Sequence, residues 1–238
     1  MKTLEILYEG KAKIIYKTDQ ADILLMEFKD SLTAFNALKK GEFAGKGILN
    51  CMISTVIFEL LTKQNIKHHW IETLDGKFML VHKTKIIPLE VVVRNYMAGS
   101  LAKKLAVEEG TALKCPIVEF YYKNDALNDP FVNDEQILAL DWAQPEDLKI
   151  LKSQALEINS ILLNTFKNVG IKLIDFKIEF GFDSTGKIIL SDEISPDCMR
   201  LWDSKTDEKL DKDRFRRDLG SIDKAYLEVF ERLSKNKG

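Results

Sequence analysis

The 238-residue chain predicts an α+β protein, and three stretches carry that expectation. Residues 4 to 28 fall into three short runs, Leu4-Tyr8, Ala12-Thr18 and Ile23-Phe28, with turns at Glu9-Gly10 and Asp19-Gln20, the pattern of consecutive antiparallel strands. Residues 173 to 181 alternate strictly: Ile174, Phe176, Ile178 and Phe180 point one way, and Asp175, Lys177 and Glu179 the other, as a strand with one buried face requires. Pro145 opens a long helix whose apolar face is Leu148, Leu151, Ala155, Ile158, Leu162 and Phe166, closed by Gly170.

The remaining elements follow the same periodicities. Between Gly45 and Ile66 the residues Leu49, Met52, Ile53, Val56, Leu60 and Leu61 recur at helical spacing, with methionine as core filler. Phe78-His82 and Ile86-Arg94 read as strands. Ser100 is placed to cap a short helix over Leu101-Glu109 that Gly110 closes. A final helix carries the stripe Phe215, Leu219, Ile222, Tyr226, Val229 and Leu233. The length suits one large domain or two closely packed lobes, and no Pro/Gly-rich linker divides it.

Composition narrows the function. With 45% hydrophobic and 30% charged residues the chain is of ordinary globular make-up, and a net charge of −2 gives no global attraction to nucleic acid or an anionic membrane. Cys51, Cys115 and Cys198 are scattered, odd in number and form no CxxC pair, so neither a disulfide framework nor a zinc site is indicated. His68, His69 and His82 lack metal-ligand spacing and read as structural. No apolar run approaches a membrane span and no signal-peptide layout is present, so the expected location is the cytoplasm, with no membrane partner.

The alternating strand at 173 to 181 is the most informative. Asp183-Ser184-Thr185-Gly186 forms a turn, and Lys187-Asp192 returns. A turn centred on Ser184-Thr185 sets Phe180 opposite Ile189 and Lys177 opposite Asp192, with Glu179 diagonal to Asp192 at about 7–8 Å, close enough for two carboxylates to share a cation. One lysine and three carboxylates on this face fit either a solvated surface laced with Lys–Glu pairs or a divalent-cation site. Gly10-Lys11-Ala12-Lys13 is a hairpin turn that lacks the Gly-rich run of a P-loop but brings two lysines to an open backbone. Arg94 and the helix start at Ser100 suit a monoester phosphate, or equally an ordinary ion pair and cap. Tyr121-Pro130 reads as a turn, and Glu193-Asp203, charged yet containing Ile194, Leu201 and Trp202, is not a free loop.

The runs DFKIEFG at 175–181, SDEISPD at 191–197 and RLWD at 200–203 resemble the SAICAR synthetase family, and the likeness extends from Tyr8-Lys13 to Asp211-Arg216. The resemblance implies a two-lobed fold related to ATP-grasp proteins, with a nucleotide-binding lobe over residues 1–83 and a larger lobe over 84–238. It also implies an ATP-dependent ligase joining L-aspartate to the carboxylate of 5-amino-1-(5-phosphoribosyl)imidazole-4-carboxylate (CAIR) through an acyl phosphate, commonly as a homodimer. Carried over residue by residue, Gly10, Lys11, Ala12 and Lys13 cover the ATP phosphates. The backbone around Val81-Lys83 reads adenine, Lys123 helps hold the nucleotide, and Asp129 lies in or beside the cleft. Arg94, Ser100 and Arg200 hold the ribose phosphate, while Lys212 and Arg216 complete the cleft toward the aspartate carboxylates. Glu179 and Asp192 hold Mg2+, Lys177 lies nearest the carboxylate being activated, and Asp175 meets the exocyclic amine. Asn36 stands where relatives often have Asp, so no charge-dependent role is carried to it. Two rival readings are a small-molecule kinase on the same nucleotide lobe and a catalytically silent nucleotide-binding regulator.

Overall fold

The computed structural model describes residues 2–34 and 39–235. Asn36 lies outside these residues. Two antiparallel sheets with flanking helices confirm the α+β class. The first is built from β1 (Thr3–Glu9), β2 (Lys13–Thr18), β3 (Ile23–Phe28), β6 (Trp70–Thr73) and β7 (Phe78–His82), in the order β1-β2-β3-β7-β6. A small hairpin, β4 (Ser31–Ala34) with β5 (Lys39–Glu42), follows β3. The second sheet comprises β8 (Lys85–Tyr96), β9 (Ala112–Tyr122), β10 (Phe131–Val132), β11 (Ile171–Phe182) and β12 (Ile188–Ser191), in the order β10-β9-β8-β11-β12, with β13 (Met199–Asp203) also paired to β11.

Helix α4 (Pro145–Asn168) packs across β8, β9 and β11, burying Leu148, Leu151, Ala155, Ile158, Leu162 and Phe166 on the stripe expected from sequence. Gly170, at φ 71, turns the chain from α4 into β11, a backbone state glycine adopts without steric cost. Phe176, Ile178 and Phe180 enter the same core, which leaves Asp175, Lys177 and Glu179 on the opposite face. The strict alternation fails at Ile174: an irregularity between Leu173 and Asp175 puts Leu173 in this core and Ile174 in a separate cluster with Ala98 and Trp202.

Helix α1 (Lys46–Lys63) packs on β3, β6 and the C-terminal helix, but on a rotated face. Ile53, Ile57, Phe58 and Leu61 are buried, whereas Met52 is exposed and is not core filler. The polar Lys46, Asn50 and Ser54 are buried instead, because their stripe faces the loop after β12: Ser54 Oγ donates to the Ile194 carbonyl at 3.0 Å and Lys46 Nζ lies 2.7 Å from Asp197. The short helix α2 (Gly99–Leu105) starts earlier than expected, with Ala98 at its cap and Ser100 exposed, and ends where Ala106 turns left-handed. After α3 (Asp134–Ala139), the expected single C-terminal helix is two, α5 (Asp213–Arg216) and α6 (Ile222–Ser234). Positive φ at Asp218, Gly220 and Ser221 breaks it, leaving Leu219 exposed.

The two sheets are joined by residues 67–69. Leu190 of β12 donates to the Lys67 carbonyl (3.0 Å) and accepts from His69 N–H (2.9 Å), while the His69 carbonyl accepts from His82 N–H at the end of β7 (2.7 Å). This short bridge ties the first sheet to the end of β12, one residue before Asp192.

Candidate active site

The β11 hairpin differs from its expected register by one residue. Phe180 faces Leu190 and Glu179 faces Ser191, rather than Phe180 facing Ile189 and Lys177 facing Asp192. The loop is three residues wide, not two: Asp183 N–H donates to the Lys187 carbonyl at 2.9 Å, and Gly186 sits at φ 80. The Asp183 carboxylate organises it by accepting from the Thr185 and Lys187 N–H groups at 2.8 and 2.9 Å. Asp192 still reaches the polar face, because it follows β12 with a left-handed φ of 67 and its carboxylate meets Lys13.

On that face the charges interlock. Lys177 Nζ donates to Glu90 Oε1 at 2.6 Å and to Glu179 Oε1 at 3.1 Å. Glu179 Oε2 accepts from Lys123 at 2.5 Å. Lys13, from the first sheet, pairs with Asp192 and lies 3.3 Å from Glu193. Lys11 reaches Asp125 at 2.8 Å, spanning from the β1–β2 turn to the loop after β9. Burial alone would raise the Asp192 carboxyl, but the ammonium groups of Lys13, Lys123 and Lys177 outweigh it and hold the group well below the ordinary range. Burial would likewise lower Lys177, yet Glu179, Glu90 and Asp192 raise it, so it stays charged.

A second cluster adjoins the first. Asp175 pairs with Arg94 across β8 and with Arg200 across β13, both at 2.8 Å. Arg94 also donates to Glu119 at 2.7 Å and Tyr121 at 3.2 Å, while Asp213 gathers Arg200 (3.1 Å) and Arg216 (2.6 Å). The Arg200 guanidinium lies against Gly99 at the start of α2: a Cβ there would come 2.5 Å from Arg200 Nη2. Arg94, Arg200 and the turn bearing Ser100 therefore converge, although Ser100 caps nothing. Lys212 is nearly buried, 3.9 Å from Asp197, and burial together with Arg216 and Lys46 lowers its ammonium against the attraction of Asp197.

Of the other expected positions, Gly10 and Ala12 lie in the β1–β2 turn, where Gly10 N–H donates to the Lys13 carbonyl at 2.8 Å. Val81 is buried inside β7, and the N–H groups of His82 and Lys83 are spent on His69 and Asp22. Glu90, Glu119, Glu193 and Asp213 were not singled out by sequence. A signal exists for two of them: Glu90 stands alone within the apolar run at 86–93, and Glu119 within that at 115–122. Among the described residues no three His, Cys, Asp or Glu side chains converge as a metal site. A pair of hard carboxylate oxygens, Glu179 and Asp192, fits Mg2+, which takes one or two carboxylates and fills its shell from phosphate and water.

Comparison with known proteins extends this geometry. The SAICAR synthetase family model matches residues 6–233. A phosphoribosylaminoimidazole-succinocarboxamide synthase from Bacillus mycoides is 53% identical over 98% of each chain. The crystal structure of the Ehrlichia chaffeensis enzyme of the same name superposes with a TM-score of 0.95 at 47% identity, covering 97% of this chain and 98% of that one. A SAICAR synthetase in complex with ADP superposes at 0.94 with 48% identity, covering 98% and 99%. Likeness of this extent, over a face of interlocked lysines and carboxylates, defines an ATP-dependent ligase. The chain belongs to the SAICAR synthetase family, whose reaction is a step of purine biosynthesis.

Proposed function

We propose that the cleft joins L-aspartate to the carboxylate of CAIR, with ATP converting that carboxylate to an acyl phosphate which the aspartate amine attacks. Amide formation from a free carboxylate fails in water because hydroxide leaves poorly; phosphate leaves well. All three substrates are anionic, so gathering them costs Coulomb energy that fixed cations must offset. Lys11, Lys13 and Lys123 serve the ATP phosphates, and Lys177 faces the carboxylate and the phosphoryl group moving to it. Glu179 and Asp192 would hold Mg2+, which when bound would supply positive charge against the phosphates. Arg94 and Arg200, with the turn at Ser100, hold the ribose phosphate, and Asp175 lies beside them for the exocyclic amine. Lys212 and Arg216 take the aspartate carboxylates. Adenine recognition near Val81 falls to carbonyl oxygens, since the neighbouring N–H groups are already bonded.

The single observation that carries the reading is Lys177 bound at once to Glu90 and Glu179, on the sheet face that also bears Asp175 with its two arginines. Such a face supplies charge in a fixed array, which phosphoryl transfer needs more than it needs a nucleophile. We place the lobe boundary at residues 83–84, between the end of β7 and the start of β8. We also read the enzyme as a cytoplasmic homodimer; among the described residues no helix is long and apolar enough to cross a membrane. The test is ADP release with substrates omitted in turn. Rapid release requires CAIR and aspartate together. Equal release without aspartate, into a stable phosphorylated product, would make the protein a kinase.

A further inference from the structure

Helix α2 ends at Leu105, after which Ala106 at φ 51 and Gly110 at φ 87 fold the chain back on the helix start. Gly110 N–H donates to the Met97 carbonyl and Met97 N–H to the Thr111 carbonyl, both at 2.8 Å. The return carries Glu109 to the first residue of the helix, where its Oε1 accepts from the Gly99 N–H at 2.9 Å. Gly99 is held at φ 59 against the Arg200 guanidinium, a state and a closeness open only to glycine. From the other side Arg217, just past α5, grips Glu109 with both arms of its fork: Nη1 donates to Oε2 at 2.9 Å and Nη2 to Oε1 at 2.7 Å. The same Nη2 lies 3.3 Å from Asp213 Oδ2, the oxygen that accepts from Arg200 Nε at 3.1 Å. The contacts close a ring of Gly99, Glu109, Arg217, Asp213 and Arg200, which returns to Gly99.

We infer that Glu109 and Arg217 are positioning residues for the ribose-phosphate subsite, a clasp that fixes the Gly99-Ser100 turn and the Arg200 guanidinium relative to each other. The inference rests on the reading of Ser100 and Arg200 as phosphate-binding groups. Neither member of the pair needs to touch the ligand. Arg217 balances the Glu109 charge, so an anion held at the turn meets little net repulsion from it. Both side chains are partly exposed, at 29% and 36%, and an ion pair so placed adds little to stability. Its value lies in geometry: one carboxylate ties a main-chain donor of α2 to a guanidinium 108 residues further along the chain.

The test measures the KM for CAIR and for ATP, with thermal midpoints, in the wild type, Glu109→Ala, Glu109→Gln, Arg217→Ala, the double Ala variant and Arg200→Lys. Glu109→Ala and Arg217→Ala each raise the KM for CAIR roughly tenfold, within the ~10²-fold that misplacement by about 1 Å can cost. The KM for ATP stays put and the midpoint moves little. The double variant is no worse than either single one, since the pair acts as a unit. Glu109→Gln keeps Oε1, which serves both Gly99 and Arg217, and recovers most of the loss. An unchanged KM for CAIR in Glu109→Ala, while Arg200→Lys raises it selectively, overturns the clasp and leaves the phosphate reading standing. Both KM values rising together in the Ala variants, additive losses in the double variant, or a Gln variant as impaired as Glu109→Ala overturn the clasp too. Arg200→Lys raising both KM values equally overturns the phosphate reading and this inference with it. Should Glu109→Ala not fold, Arg217→Lys, which keeps the charge and loses the fork, is read by the same split between CAIR and ATP.

Discussion

Lys177 Nζ and Glu90 Oε1 lie 2.6 Å apart, although the two residues are not directly opposed in the β8–β11 ladder, where Glu90 faces Glu179 and Lys177 faces Val92. The contact is diagonal, and it leaves Lys177 shared between two carboxylates. A bulge permits it. Between the pairs Glu179–Glu90 and Gly181–Ile86, β8 spends three residues where β11 spends one, and Pro88, which has no N–H to give, sits in the slack. Replacing Lys177 with Ala should cut turnover about 10²-fold or more, as loss of a charge partner of the transition state does. The thermal midpoint should also fall, because Glu90 loses its cation, although Glu179 keeps Lys123. Steady-state kinetics beside a melting curve checks both.

Every lysine proposed here to face the phosphates is paired with a carboxylate: Lys11 with Asp125, Lys13 with Asp192 and Glu193, Lys123 and Lys177 with Glu179. Nucleotide alone would draw the lysines away and leave Glu179 and Asp192 buried without a counter-charge. Mg2+ and nucleotide should therefore bind cooperatively, each raising the affinity for the other roughly tenfold or more, within the usual span of coupling between sites. Calorimetry of ADP with and without Mg2+ measures this, and equal affinities would contradict the exchange of partners.

Arg94 lies between two buried carboxylates, Glu119 and Asp175; Arg94→Ala strands Glu119 while Asp175 keeps Arg200, and should cost about 3–5 kcal/mol of stability as well as binding. Arg200 is the better probe of the ribose phosphate, since it is more exposed. Arg200→Lys keeps the charge and loses the fork, and should raise the KM for CAIR more than that for ATP. Equal increases would argue against a phosphate clamp.

The pH dependence of stability has a named contributor. Burial would raise the Asp197 carboxyl, but Lys212, Lys46 and the Tyr226 hydroxyl hold it far below its ordinary value. The unfolded chain then binds that proton more tightly than the folded one. Its stabilisation is complete above the unfolded carboxyl pKa of about 4 and is lost as pH falls further toward the folded value. Asp197→Asn should flatten the loss of thermal midpoint below that pH, and near neutrality should cost about 3–5 kcal/mol by leaving the fully buried Lys46 unpaired.

The sequence made the elements legible where one period dominates. The α4 stripe and the polar face of β11 are read directly from residue spacing. It was less explicit where backbone detail decides. Gly186 admits either a two- or a three-residue loop, and only the Asp183 carboxylate, bonding Thr185 and Lys187, selects the wider one. That choice moves Asp192 off the ladder, and a left-handed φ restores its reach. Helix α1 departs from its apolar period because the loop at 193–197 covers Lys46, Asn50 and Ser54, residue types that in sequence mark a solvent face. The last helix was read as continuous because Leu219 keeps the apolar period through a stretch that three left-handed residues interrupt.

The most direct measurement follows the oxygen. CAIR carrying 18O in its carboxylate is turned over with ATP and aspartate, and the released phosphate is analysed by mass. Transfer of one labelled oxygen to phosphate is the expected result, since the acyl C–O bond breaks when the amine attacks. Phosphate free of label would mean that the carboxylate is never phosphorylated, and the role given to Lys177 and its carboxylates would fall.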